Sequence, residues 1–191
     1  IDVLVNNAAF IRWTSVLDMT VEEAERTMRV GYDAMVYGTK AVLPAMLAAG
    51  HGHIVNIGSS AGRIFAGASS AAYAAMKAAI DGYTQTLQVE MSGTPLHVLL
   101  VRPAAVGGTA FFRQHVPSSR LPRLMDFIPF LTPPDLADRI VRAINDRRVI
   151  LDAPGYLGFF YALFFVSPRL FRWLMRVGGP GQRDYGRVEW Q

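Results

Sequence analysis

Residues 53–60 read His-Ile-Val-Asn-Ile-Gly-Ser-Ser. A short apolar run rich in β-branched residues, stopped by glycine and serine, reads as a strand buried on both faces of a parallel sheet. Working outward, residues 1–5 (Ile-Asp-Val-Leu-Val) form another such run, which ends in Asn6-Asn7. Residues 98–101 form a third, ending in Arg102-Pro103, and residues 149–151 a fourth. Helical patterns separate them. Thr20 with Glu23 is a capping box, and apolar positions recur at Ala24, Met28, Met35, Val36, Val42 and Met46 up to Gly50. One long helix is expected there, bent near Pro44. A second covers residues 71–91, and Thr132 caps a third over 133–146, with proline in the tolerated first turn. Strand alternating with helix implies an α/β architecture with a mostly parallel sheet.

The composition agrees with a folded domain. The 191 residues are 51% hydrophobic and 18% charged, with a mean hydropathy of +0.23, far from the polar, highly charged chains that stay disordered. Absence of cysteine excludes a disulfide framework and thiolate metal sites. The histidines at 51, 53, 97 and 115 include no pair four apart, so no metal site is expected. Basic residues outnumber acidic ones to give +4, with 17 arginines against two lysines, Lys40 and Lys77. That excess is dispersed, which reads as solvated surface and argues against nucleic acid as a partner. The chain opens on an apolar strand with no initiator methionine or leader pattern, so an upstream segment is expected to be missing.

Two stretches depart from the alternation. Residues 104–134 carry prolines at 117, 122, 129, 133 and 134 among scattered aromatics, a long excursion of the kind that carries function. Phe111, Phe112, Phe127 and Phe130 would make it an apolar lid over a substrate. Residues 156–166 are free of charge, Pro168 interrupts, and Leu170, Phe171, Trp173, Leu174 and Met175 are then interleaved with Arg169, Arg172 and Arg176. Such a segment is too short to span a bilayer, which needs ~20 residues. It suits either packing over the pocket or another subunit, or a peripheral membrane contact through 156–177. The expected division is therefore a catalytic portion over 1–155 and an apolar, basic extension over 156–191.

Tyr73 and Lys77 lie four apart on a predicted helix and so share a face. A phenol with a pKa near ~10 is a poor acid or base at neutral pH. An ammonium one turn away is expected to lower that value and make the pair an acid–base unit. Ser59 and Ser60 follow the strand at the carboxyl edge of the sheet, where open α/β sheets place ligands. A serine hydroxyl there can hold a substrate oxygen; the plain alternative is a turn or cap serine. Asn6-Asn7, Ser59-Ser60 and Arg102-Pro103 with Gly107-Gly108 thus end three strands at one crevice.

In this order and spacing, strand-Asn-Asn-Ala, strand-x-Ser, Tyr-x-x-x-Lys and strand-Pro resemble the short-chain dehydrogenases/reductases over residues 1–151. The resemblance implies a Rossmann-type doubly wound sheet, incomplete because the first βαβ units are missing. It also implies NAD or NADP as cofactor, and hydride transfer between nicotinamide and an alcohol or ketone. Carried over by residue, Ser59 orients the substrate oxygen, with Ser60 as the fallback, Tyr73 is the general acid/base, and Lys77 tunes Tyr73 and bonds the nicotinamide ribose. Asn7 stabilises the central sheet and approaches the cofactor with Ala8, while Pro103, Ala104 and Val106 lie along it. The family's following threonine falls at Thr109, displaced by one, or is replaced by Gly108.

Two departures stand out. Gly31 occupies the position where the family commonly has an asparagine that holds a relay water. The glycine-rich turn that binds the pyrophosphate does not occur in this sequence, so the choice between NAD and NADP is not readable and the chain alone is expected to bind dinucleotide weakly. The expected partner is an apolar small molecule, with a second copy of the chain by resemblance, in the cytoplasm or at a membrane surface. The rival readings are a non-catalytic relative that binds a partner or membrane, and a sugar-nucleotide epimerase or dehydratase, against which Asn6-Asn7-Ala8 argues.

Overall fold

The computed structural model describes residues 1–65, 70–109 and 130–177, with side chains through 175. Four strands, β1 (Val3–Asn6), β2 (His53–Ile57), β3 (His97–Pro103) and β4 (Ile150–Ala153), form one sheet in that order. Every pairing is parallel, with Val5 opposite Val55, Val55 opposite Leu99, and Val101 opposite Leu151. This is the α/β architecture expected. β2 and β3 are central and almost wholly buried. β1 departs from the expected burial on both faces: among the described residues it pairs with β2 alone, and Val3 and Val5 are 44% and 49% exposed. An unbroken apolar run marks a strand's character but not how many neighbours it has.

The helix after β1 starts where the capping box puts it. Thr20 Oγ1 accepts from Glu23 N–H at 3.2 Å and Glu23 Oε2 accepts from Thr20 N–H at 3.1 Å. α1 (Val21–Met28) runs through a π-turn (Arg29–Asp33) into α2 (Ala34–Ala49), which contains Pro44 and ends on Gly50 in the left-handed region. The irregularity thus sits at Gly31 rather than at the expected Pro44. A Cβ on Gly31 would stand 2.5 Å from Met76 Sδ, so a side chain there would require the fully buried Met76 side chain of the facing helix to shift. That helix is α3 (Ala71–Glu90). α4 (Pro133–Asn145) is capped by Thr132, whose Oγ1 accepts from Asp135 N–H. It covers one face of the sheet with Val55, Leu99, Val101 and Leu151, while α2 and α3 cover the other with Val42, Met46, Ile54, Leu87 and Val98.

Residues 110–129 of the expected lid, with Phe111, Phe112 and Phe127, lie outside the described residues. The ends of that excursion are pinned together, since Val106 bridges Leu131 and Gly107 N–H donates to Leu131 O at 2.9 Å. Beyond β4, α5 (Leu157–Val166) and α6 (Pro168–Val177) make a helical pair, with Pro168 opening the second helix. Among the described residues, no helix is long and apolar enough to cross a membrane.

Two constraints tie α3 to the sheet. Arg102, 2% exposed at the end of β3, donates through Nε and Nη2 to the two carboxylate oxygens of Asp81 at 2.5 and 3.0 Å, and lies 3.6 Å from Asp152 on β4. Gly62, in the 3-10 turn (Ser60–Gly62) after β2, packs on the backbone of Lys77, so a Cβ there would be 2.6 Å from Lys77 C and O. Arg102→Ala is expected to lower unfolding free energy by about 3–5 kcal/mol in urea titration, because two carboxylates lose their buried partner. Gly62→Ala is expected to cost about 1–3 kcal/mol by the same measurement, since backbone cannot yield as a flexible side chain does. Wild-type stability in either variant contradicts the assignment.

Candidate active site

β2 delivers Ser59 to the carboxyl edge of the sheet, and α3 brings Tyr73 and Lys77 to the same place. Ser59, 9% exposed, caps the 3-10 turn by accepting Ala61 N–H on Oγ at 3.1 Å. It is also hydrogen-bonded to the Tyr73 hydroxyl. The cap reading and the site reading of this serine therefore hold together. Ser60 opens the turn and its carbonyl accepts from Arg63 and Ile64 N–H.

Lys77 is 3% exposed and donates from Nζ to the carbonyl of Ile57 at 2.6 Å. Its ammonium lies 5.6 Å from the centre of the Tyr73 ring, so the two side chains share the face that their spacing predicts. The electrostatic expectation needs correction. Tyr73 is pushed above the usual phenol value by burial, and only the hydrogen bond from Ser59 pulls the other way. Lys77 is the group that is lowered, to about 8, by burial. Burial is the main cause in both, and the Lys77 ammonium is bonded to the backbone carbonyl of Ile57.

Trp13, in the loop after β1, stands against Tyr73 with ring centres 6.2 Å apart, and its buried indole N–H has no hydrogen-bond partner among the described residues. Ile57 occupies one of three Lys77 ammonium hydrogens. Donors of Trp13 and Lys77 beside Tyr73 suit a ligand rich in acceptor oxygens.

The other expected residues fall along the same edge. Asn7 and Ala8 are exposed past the end of β1. The sheet-stabilising role expected of Asn7 belongs instead to Asn6. Asn6 Nδ2 donates to Asn56 Oδ1 at 2.8 Å, Asn56 Nδ2 to Thr84 Oγ1 at 3.0 Å, and Thr84 Oγ1 to Ile80 O at 2.6 Å. Parallel register sets Asn6 directly opposite Asn56, which is why neighbouring strand ends can be tied this way. Pro103 ends β3, Ala104 N–H donates to Ala153 O at 2.8 Å, and Val106 forms the base of the 106–131 excursion. Asp81 and Trp13 were missed from the sequence, although Asp81 lies four residues beyond Lys77 on the same helical face.

Known proteins share this arrangement. The family model for short chain dehydrogenase matches residues 1–119. The NADP-dependent 3-hydroxy acid dehydrogenase YdfG of Escherichia coli (strain K12) is 39% identical over 113 residues, 58% of this chain and 45% of that protein. Retinol dehydrogenase 10-B of Danio rerio is 35% identical over 157 residues, 81% of this chain and 45% of that protein. The closed form of serine dehydrogenase complexed with NADP+ is a structural neighbour at 30% identity and TM-score 0.69, covering 80% of this chain and 64% of that one. The chain thus spans about half the length of the curated relatives it matches. With the family model running from β1 past the end of β3 and the Ser59, Tyr73 and Lys77 cluster inside it, the chain belongs to the short chain dehydrogenase family.

Proposed function

We propose that the complete protein is an NAD- or NADP-dependent oxidoreductase that interconverts a secondary alcohol and its ketone, with Ser59, Tyr73 and Lys77 at the reacting carbonyl. The observation that carries this reading is the hydrogen bond between Ser59 and Tyr73, with the buried Lys77 ammonium behind the ring. The names of the three similar proteins given above, each a dehydrogenase and two of them naming NADP, support it. When bound, the nicotinamide supplies or accepts the hydride at the substrate carbon. Ser59 Oγ holds the substrate oxygen. In reduction, Tyr73 gives its proton to that oxygen as negative charge grows there, and solvent returns a proton to the phenolate. A phenol raised by burial stays protonated at neutral pH and is suited to this donation. The two remaining Lys77 hydrogens would meet ribose hydroxyls, with Asn7, Ala8, Pro103, Ala104 and Val106 along the dinucleotide.

Trp13 against Tyr73, and Phe130 at the base of the 106–131 excursion, favour an apolar alcohol or ketone as substrate. Residues 1–155 are the catalytic portion in this reading, and 156–191 are an extension. Exposed Tyr37, Leu47 and Val89 on α2 and α3 give a second copy an apolar surface to pack on. Turnover would occur in the cytoplasm.

Tyr73→Phe in the complete protein is expected to reduce ketone-dependent oxidation of NADH or NADPH by about 10²–10⁴-fold. Retained turnover would remove Tyr73 from the mechanism. The charge on Lys77 makes a separate prediction. Its native value of about 8 lies below the ordinary 10.5, so between these values the unfolded chain binds more protons and stability rises with pH. Below pH 8 the full burial cost is present. Urea midpoints measured from pH 8 to 10 should climb in the wild type and stay flatter in Lys77→Met; parallel curves count against a buried ammonium.

A further inference from the structure

α5 is apolar on both of its faces. Leu157, Phe160, Tyr161 and Phe164 face inward at helical spacing, with Phe171 of α6 packed against Phe160 and Phe164. The opposite side carries Phe159, Phe165 and Val166, which are 67%, 87% and 81% exposed. A helix hydrophobic all round is ordinarily covered on all sides. α6 continues the surface: Leu170, Trp173 and Leu174 recur at i, i+3 and i+4 and are 44%, 56% and 39% exposed. Arg169 and Arg172 are exposed beside them, and Arg172 reaches over the Phe164 ring at 5.8 Å. Arg63, over the Tyr161 ring, adds a third guanidinium from the segment that follows Ser59. Residues 153–177 contain no acidic side chain.

We infer that α5 and α6 form a docking surface for an anionic lipid bilayer, lying in the headgroup boundary with Phe159, Phe165, Val166 and Trp173 among the acyl chains. Charge selects this occupant. A two-fold contact of this helical pair with itself would set two arginine-bearing surfaces together, with no carboxylate on either pair of helices to balance them. Phosphate groups of an anionic membrane supply that complement, and arginines flanking an aromatic apolar face fit the depth of the interface. Each helix has 10 residues, which at ~1.5 Å per residue cannot cross the hydrocarbon. The surface also joins the site: Phe65, 51% exposed and six residues after Ser59, packs edge-on against Phe164 with ring centres 6.2 Å apart. Docking would thus place the bilayer beside the segment that follows Ser59, and it does not depend on the proposed oxidoreductase reading.

The test is co-sedimentation of the complete protein with vesicles of phosphatidylcholine alone, or of phosphatidylcholine with phosphatidylserine. The chain is expected to pellet with the phosphatidylserine vesicles, and less so as salt is raised. The F165S/W173S variant, which touches only exposed side chains, should partition at least about tenfold more weakly while keeping its circular dichroism. R169E/R172E should lose the preference for phosphatidylserine. Equal partitioning of wild type and F165S/W173S overturns the proposal, as does absence of the wild type from both pellets. A dimer in sedimentation velocity that F165S/W173S dissociates overturns it as well, by giving the surface to a second copy. Sedimentation reads no turnover, so a failed redox assay leaves this result standing.

Discussion

The ammonium of Lys77 is buried on the carbonyl of Ile57, the last residue of β2. A buried cation without a partner is costly enough that the contact holds its two elements in register. Ile57 precedes Ser59 by two residues and Lys77 follows Tyr73 by one helical turn, so this contact sets the distance between serine and tyrosine. Gly62 reinforces it from the other side, because the turn that leaves Ser59 rests on the Lys77 backbone with no room for a methyl group. Lys77 thus acts first as a joint between strand and helix, and its effect on the phenol is secondary to that.

The same helix carries a whole row of such joints. Lys77, Asp81, Thr84 and Gln88 follow Tyr73 at spacings of three and four, and each is bonded to the sheet. Lys77 reaches the end of β2, and Asp81 reaches Arg102 of β3. Thr84 accepts from Asn56 of β2, and Gln88 donates to the carbonyls of Val98 and Val149. Apolar packing of α3 through Met76, Ile80 and Leu87 is non-directional and would tolerate small slips along the axis. Directional bonds at four successive levels do not. Tyr73, at the N-terminal end of that row, inherits a fixed position although it is only half-buried itself.

This row explains what could be read from the sequence and what could not. Strand–helix alternation, the caps at Thr20 and Thr132, and the convergence of Ser59, Tyr73 and Lys77 follow from local pattern, and the structure places those elements within a few residues of their expected bounds. Asp81, Thr84 and Gln88 were not legible, because a polar stripe at helical spacing normally marks the solvated face, and here it faces the sheet. Arg102 ends an apolar strand and could be seen as polar, but its partner lies 21 residues away in sequence. The π-turn at Gly31 was obscured by Pro44, the stronger local signal, which α2 accommodates without a break. The direction of the Tyr73 shift was misread for a similar reason: sequence spacing gives the face a side chain shares, but not which acceptor its charge will choose.

The helical pair after β4 belongs to the same mechanical system. Asp152 on β4 lies near Arg102, whose other partner is Asp81 on α3. Tyr161 of α5 is raised far above an ordinary phenol by burial and by the Asp152 carboxylate, which keeps it uncharged and able to pack as an apolar ring. Arg63 and Phe65 lean on Tyr161 and Phe164. The segment leaving Ser59 is therefore gripped at Gly62 by α3 and at Arg63 and Phe65 by α5.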